Sequence, residues 1–331
     1  MNDFVREQRE SDSLAWHPYV YWRHKPYKGR YINVDERGIR ATWRAPQSQQ
    51  QPTRIFLFGG STMWGTGARD DFTIASQLAK RIHAQKNAPG VEITNLGEHG
   101  YVSTQELLTL QLELRRGNIP DAVIFYDGVN DVASAYQEGV AGIPQNELNR
   151  RIDFESPMAS FAYAFVRESA LFRPVLWRAR DTVWRREDAQ RSPEARSRLA
   201  RDAVRVYVGN VAIIDGLARD FGFRALFFLQ PVVFTKRHLS ADEQRGANEN
   251  GFMREFFERA YDLMRKDGGL SANPRFHDIS ALFESVEAPL YFDFVHISER
   301  GNEMVAEAML PEVDRVLTVE AAHAGAERES K

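Results

Sequence analysis

The stretch that decides the fold is "RIFLFGGSTMWG", residues 54 to 65. After Arg54 come four apolar residues, aromatic or branched, the composition of a short buried strand. Gly59 and Gly60 then break the run, and two glycines let the backbone turn sharply and pass close to a ligand. Ser61 follows where a helix is about to start and where backbone N–H groups lack intrahelical partners. Such a serine either caps the helix or attacks a substrate. The stretch is not the nucleophile elbow of the α/β-hydrolases, which needs glycine two residues to either side of the serine; Met63 stands on one side. Nor is it a phosphate loop, because no Gly-Lys-Ser/Thr follows at the required spacing.

The same order of apolar run, loop and helical period recurs down the chain. Further strand-like runs are "VEITNL" (91 to 96), "AVIFY" (122 to 126), "RALFFL" (224 to 229) and "FHDI" (276 to 279). Helical periods cover 71 to 86, 103 to 117, 200 to 221, 242 to 266 and 298 to 318. Alternation of this kind predicts an α/β fold, with a central parallel sheet of about five strands and helices on both faces. In that architecture the chemistry sits in loops at the carboxyl ends of strands. About seventy residues, 132 to 200, interrupt the pattern after the third strand, far beyond an ordinary connection, and are read as a helical insertion. Residues 1 to 50 read as an aromatic-rich extension packed on the core, 51 to 319 as the main domain, and 320 to 331 as a disordered tail.

Composition excludes several functions. With 43% hydrophobic and 27% charged residues in 331, the chain is an ordinary globular protein. A net charge of −3 gives no global attraction to nucleic acid. The arginine-rich end of the insertion is interleaved with Asp181, Glu187, Asp188 and Glu194, so no nucleic-acid partner is expected. The absence of cysteine removes disulfides, thiolate metal sites and a cysteine nucleophile together. The histidines show no H-E-x-x-H spacing and residues 127 to 131 no calcium-loop register, so neither metal nor cofactor is expected. The N-terminus lacks the apolar core of a signal peptide, and no run approaches a membrane span. The chain as written reads as soluble, its compartment open, and compatible with a place outside the cytoplasm if an export segment lay upstream. Trp177 and Trp184 stand among arginines within 161 to 186, a pattern that suits a membrane-surface helix but suits packing on the domain better.

The loops after the strands carry the chemistry. "NLGEHGYVST", 95 to 104, places Gly97 and Gly100 before a helix, where a glycine N–H can face a developing negative charge. His99 in the same loop reads as an exposed histidine. "YDGVNDV", 126 to 132, offers Gly128 for a bend, the Asn130 amide as a donor, and Asp131 to brace its loop through hydrogen bonds to nearby N–H groups. "YFDFVHISERGNEM", 291 to 304, holds Asp293 and His296 three residues apart, one helical turn's spacing. At that separation a carboxylate can reach the imidazole, fix its tautomer and stabilise the imidazolium. Each piece has a bland explanation as a turn or a cap. Together they supply a nucleophile (Ser61), a base and acid (His296), an orienting group (Asp293), and three oxyanion donors in the N–H groups of Ser61 and Gly100 and the Asn130 side chain.

These residues make the chain resemble the SGNH, or GDSL-type, hydrolases. Their four blocks stand here in order as "GGST" around Ser61, "NLGEHG" ending at Gly100, "GVND" with Asn130, and "DFVH" with Asp293 and His296. The resemblance spans residues 54 to about 318. It implies a flavodoxin-like three-layer α/β/α fold and metal-independent hydrolysis or transfer of acyl groups on oxygen. One departure is Gly60, which replaces the aspartate of G-D-S-L and bears on the substrate subgroup rather than on the catalytic serine. The leading expectation is a serine esterase or deacylase acting on a small-molecule or glycan ester, acetylated carbohydrate included. The alternatives are an O-acyltransferase delivering the acyl group to a sugar hydroxyl, and a catalytically silent carbohydrate-binding relative.

Overall fold

The computed structural model describes residues 3 to 46, 51 to 85, 90 to 155 and 191 to 329. Its centre is a sheet of five parallel strands, β5 (Thr53–Gly59), β6 (Val91–Asn95), β7 (Ala122–Asp127), β8 (Arg224–Leu229) and β9 (Phe276–Asp278), in the order β6-β5-β7-β8-β9. Every residue of β7 is buried, which is why it reads as an unbroken apolar run rather than an alternation. The expected α/β sheet of about five strands is present, each within two residues of its run.

The first strand of this sheet, β5, sends its crossover to one side, to β6, while β7 pairs on its other side. The chain therefore reverses direction between β5 and β7, and in open parallel sheets the crevice above such a reversal is where ligands bind. Right-handed crossovers also assign the helices to faces. The β5–β6 connection carries α2 (Ser61–Trp64) and α3 (Ile74–Ala84), and α3 packs against the last helix, α11 (Glu299–Glu329). The opposite layer holds α4 (Ser103–Arg115), α5 (Val129–Glu138), α7 (Pro193–Phe221) and α9 (Arg254–Lys266), all packed on α7.

Several boundaries differ from the sequence expectation. Helix α5 begins just before the segment expected as an insertion and runs into it, and α6 (Glu147–Glu155) follows. Helix α7 begins at Pro193 rather than 200, because Ser192 caps it by accepting the Ala195 N–H at 3.2 Å and proline suits the first turn. Residues 156 to 190, with Trp177 and Trp184, lie outside the described residues, and so does most of the segment considered for a membrane surface. The helix expected over 242 to 266 is broken into α8 (Ala241–Glu249) and α9 by Asn250 and Gly251, both poor helix formers; a short helix, α10 (Gly268–Ser271), follows. Helix α11 runs on to Glu329 where a disordered tail was expected, since "EAAHAGAERE" is rich in alanine and glutamate. No helix among the described residues is long and apolar enough to cross a membrane.

Helix α1 (Asp3–Ser11) and two hairpins, β1 (Leu14–His17) with β2 (Tyr21–His24) and β3 (Tyr27–Lys28) with β4 (Asn33–Val34), precede the sheet. Buried Glu7 accepts the N–H groups of Arg30, Tyr31 and Ile32 at 2.9, 2.8 and 3.2 Å. Arg40 is wholly buried and bridges to Asn95 at the end of β6, covering that sheet edge. Its guanidinium pairs with Asp70 at 3.0 Å and donates to the carbonyls of Gly65 and Ala68 at 2.7 and 2.5 Å, fixing the chain that leaves α2.

Candidate active site

Ser61 opens α2, and Gly60 occupies the cap position with no side-chain cap. The serine hydroxyl is thus free of capping duty and lies 2.7 Å from His296 Nε2. Two side chains from neighbouring strand ends hold α2 in place: Asn95 donates to the Met63 carbonyl at 2.9 Å, and Gln230 to the Thr62 hydroxyl at 2.9 Å.

His296 Nδ1 in turn lies 2.6 Å from Asp293 Oδ2. The spacing of three residues is served by a tight turn, not by the helical turn the sequence suggested. Asp293 Oδ1 accepts the N–H groups of Val295 and His296, both at 2.8 Å, and the Phe292 N–H closes on the His296 carbonyl at 2.9 Å. One carboxylate oxygen shapes the loop and the other orients the ring. Burial pushes the Asp293 carboxyl up, but the His296 hydrogen bond and charge, with the two N–H donors, outweigh it and hold the group below its ordinary value.

This turn is braced from α8. Lys236 and Glu243 form a fully buried ion pair at 2.6 Å, and Glu243 Oε1 also accepts the N–H groups of Leu290 and Tyr291 at 2.8 and 3.1 Å. Burial raises the Glu243 carboxyl, yet the Leu290 N–H, Lys236 and further backbone donors bring it down to about 2. A β-carbon at Gly246 would stand 3.1 Å from the Asp293 Cα, so glycine lets the helix press directly on the turn.

Of the expected oxyanion donors, Asn130 is placed against Gly60, the residue before Ser61. A β-carbon there would lie 2.1 Å from Asn130 Nδ2, so Asn130 is seated against the residue before the serine. One amide proton of Asn130 goes to the Tyr101 carbonyl at 2.8 Å, leaving the second to be aimed elsewhere. Tyr101 follows Gly100 directly, so this bond joins the Asn130 and Gly100 loops. Asp131 departs from its expected role. Rather than serving only its own loop, it reaches across to α4, taking the Ser103 N–H at 3.1 and 3.2 Å and the Ser103 hydroxyl at 2.5 Å. Behind it lie buried Asp127 and Glu106. Burial and the neighbouring Asp131 charge push Asp127 up to about 7, and burial pushes Asp131 up to about 6. Tyr207 donates to Asp127 at 2.7 Å.

The N-terminal segment, to which the sequence assigned no role, holds the Gly97–Gly100 loop. Trp22 donates to the His99 carbonyl at 2.7 Å, the Tyr101 hydroxyl to the Trp22 carbonyl at 2.5 Å, and Gln105 to the Val20 carbonyl at 2.8 Å. His99 is not the exposed histidine expected: its ring meets Thr66 Oγ1 at 2.9 Å and packs edge-on to Trp64. These partners lie tens of residues apart in sequence, and only the aromatic composition of residues 16 to 43 signals them. A hollow of about 450 Å³ beside the Asp293 turn is lined by Tyr31, Arg69, Phe292 and Ser298. Neither this hollow nor a larger groove of about 690 Å³, between the N-terminal segment and β6, is lined by Ser61 or His296.

No protein-family model matches the chain, and no curated protein matches it. Solved structures similar to it include the acetyl xylan esterase AlAXEase, at 15% identity and a TM-score of 0.42 over 78% of this chain and 99% of that one. The lipase Lip_vut3 from a goat rumen metagenome is 13% identical with a TM-score of 0.44, over 77% and 95% of the two chains. Axe2, an acetylxylan esterase from Geobacillus stearothermophilus, is 14% identical with a TM-score of 0.39, over 79% and 94%. At these identities and TM-scores the likeness is to an α/β fold alone.

Proposed function

We propose that the chain is a metal-independent serine hydrolase of O-acyl esters, of the SGNH type. The observation that carries this reading is the continuous relay from Ser61 Oγ through His296 to Asp293, at 2.7 and 2.6 Å, built from two loops 235 residues apart in sequence. Two such contacts, in this order and at the carboxyl edge of a parallel sheet, are what general-base activation of a hydroxyl requires.

Ser61 Oγ attacks the acyl carbon as His296 Nε2 takes the hydroxyl proton, and Asp293 stabilises the resulting imidazolium. The carbonyl oxygen, now an oxyanion, is met by the N–H groups of Ser61 and Gly100 and by the second amide proton of Asn130. The carbon–oxygen bond to the alcohol breaks, and the alcohol leaves with the proton from His296. Water then enters, gives a proton to His296 as its oxygen attacks the acyl-enzyme, and the acid departs as the proton returns to Ser61. The ester is a small-molecule or glycan one, acetylated carbohydrate included.

The test is release of acid from a short-chain aryl ester and from acetylated oligosaccharides, with Ser61→Ala as the blank. Turnover by the wild type with a loss of about 10³-fold or more in Ser61→Ala supports the reading. Equal rates in the two proteins would refute it.

A further inference from the structure

Next to the loop that carries Gly100, three metal-ligating side chains from separate parts of the chain meet: Asp12, His24 and His99, with one ligand atom of each within 4.8 Å of the others. Asp12 Oδ1 lies 3.3 Å from His99 Nδ1 and 3.9 Å from His24 Nε2. Two ligands of a tetrahedral zinc ion, with bonds of about 2.0–2.1 Å, stand about 3.4 Å apart, so the three atoms already sit close to the faces of one coordination sphere.

The remaining ring nitrogens are engaged elsewhere. His24 Nδ1 contacts the buried Glu98 carboxylate, and His99 Nε2 meets Thr66 Oγ1 at 2.9 Å. In the tautomers that donate to these partners, His24 Nε2 and His99 Nδ1 both keep their lone pairs, and both face Asp12. A carboxylate or hydroxyl behind the imidazole is how metal-bound histidines are oriented. The His24 side chain is fully buried and its Nε2 has no hydrogen-bond partner among the described residues. Leaving a buried ring nitrogen unpaired is costly, and a metal ion would satisfy it. His24 is further locked by stacking on Trp64, with ring centroids 4.2 Å apart. The Asp12 side chain is 58% exposed, which leaves an entry path and room for a fourth ligand from solvent.

The geometry points to a zinc-type divalent metal site formed by Asp12, His24 and His99, which ties the N-terminal segment to the loop holding Gly100. Two imidazoles and one carboxylate suit zinc and its neighbours rather than calcium or magnesium, which favour all-oxygen sites. The sequence hides it, because no two of these ligands share a motif spacing. The site is independent of the ester-hydrolase reading, since it requires nothing of Ser61.

The experiment is titration of the tag-free, metal-stripped protein with Zn²⁺ by calorimetry and with Co²⁺ by visible absorption, alongside Asp12→Asn and His99→Gln. Asp12 is exposed and His99 partly buried, and circular dichroism checks that both variants remain folded. One equivalent bound by the wild type, an intense tetrahedral Co²⁺ band, and affinity weakened at least tenfold in each variant support the site. No binding by the wild type, or undiminished affinity in either variant, overturns it.

Discussion

The β-carbon that Gly60 lacks would stand 2.1 Å from the amide nitrogen of Asn130. Asn130 thus fills the space that a side chain at position 60 would need, and the glycine there becomes a packing relationship. Gly60→Ala must displace the Asn130 amide, which the Tyr101 carbonyl holds at 2.8 Å. Misplacement of a reacting group by ~1 Å costs on the order of 10²-fold. The expected result is a loss of about that size in kcat/KM on an aryl ester, with the melting temperature little changed.

Asn130 itself is expected to act on the developing oxyanion. Asn130→Ala should lower kcat by about 10²–10³-fold, as removal of one oxyanion donor does elsewhere, with a small effect on KM. Steady-state kinetics check this, and an unchanged kcat would remove Asn130 from the proposed set.

The turn bearing Asp293 and His296 depends on a charge pair outside the site. Lys236→Met leaves the Glu243 carboxylate buried without its cation, a change that costs about 3–5 kcal/mol in buried pairs. Urea denaturation should show that loss. Because the Glu243 carboxyl is held at about 2 in the folded protein against 4.5 ordinarily, its own contribution is present above pH 4.5. It fades as pH falls through about 2, so the difference between variant and wild type is to be read near neutrality.

The buried acids behind Asn130 work in the opposite sense. Asp127 is raised from 3.8 to about 7, so between those values the unfolded chain has released a proton that the folded chain keeps. Stability therefore falls as pH rises from about 4 to about 7. Asp127→Asn keeps an acceptor for the Tyr207 hydroxyl and removes the titration. The variant should gain stability relative to wild type as pH is raised from 5 to 8, measured as the shift of the urea midpoint.

What the sequence revealed follows from where each interaction lies along the chain. Ser61, Gly100 and Asn130 each stand within a few residues of the end of an apolar run, so strand periodicity aligned them at one sheet edge, while Asp293 and His296 were legible as a close pair just ahead of the final helical period. The contacts that support them do not follow any period. Arg40 reaches carbonyls 25 and 28 residues away, His24 meets Glu98 across 74 residues, and Glu243 reaches Leu290 across 47. Nothing local distinguishes Lys236 or Glu243 from surface charges, because their burial is decided by the packing of α8 on the Asp293 turn. Asp131 was read as serving its own loop for the same reason: its partner, Ser103, lies 28 residues earlier. Boundaries were missed where caps decide them, as at Ser192 and at Asn250.

The most direct measurement of the central claim is the intact mass of the protein after exposure to a serine-directed fluorophosphonate. The account predicts one adduct per chain, mapped to Ser61 by peptide sequencing, absent from Ser61→Ala and formed much more slowly in His296→Ala. A wild-type protein left unlabelled, or an adduct that persists in Ser61→Ala, would contradict it.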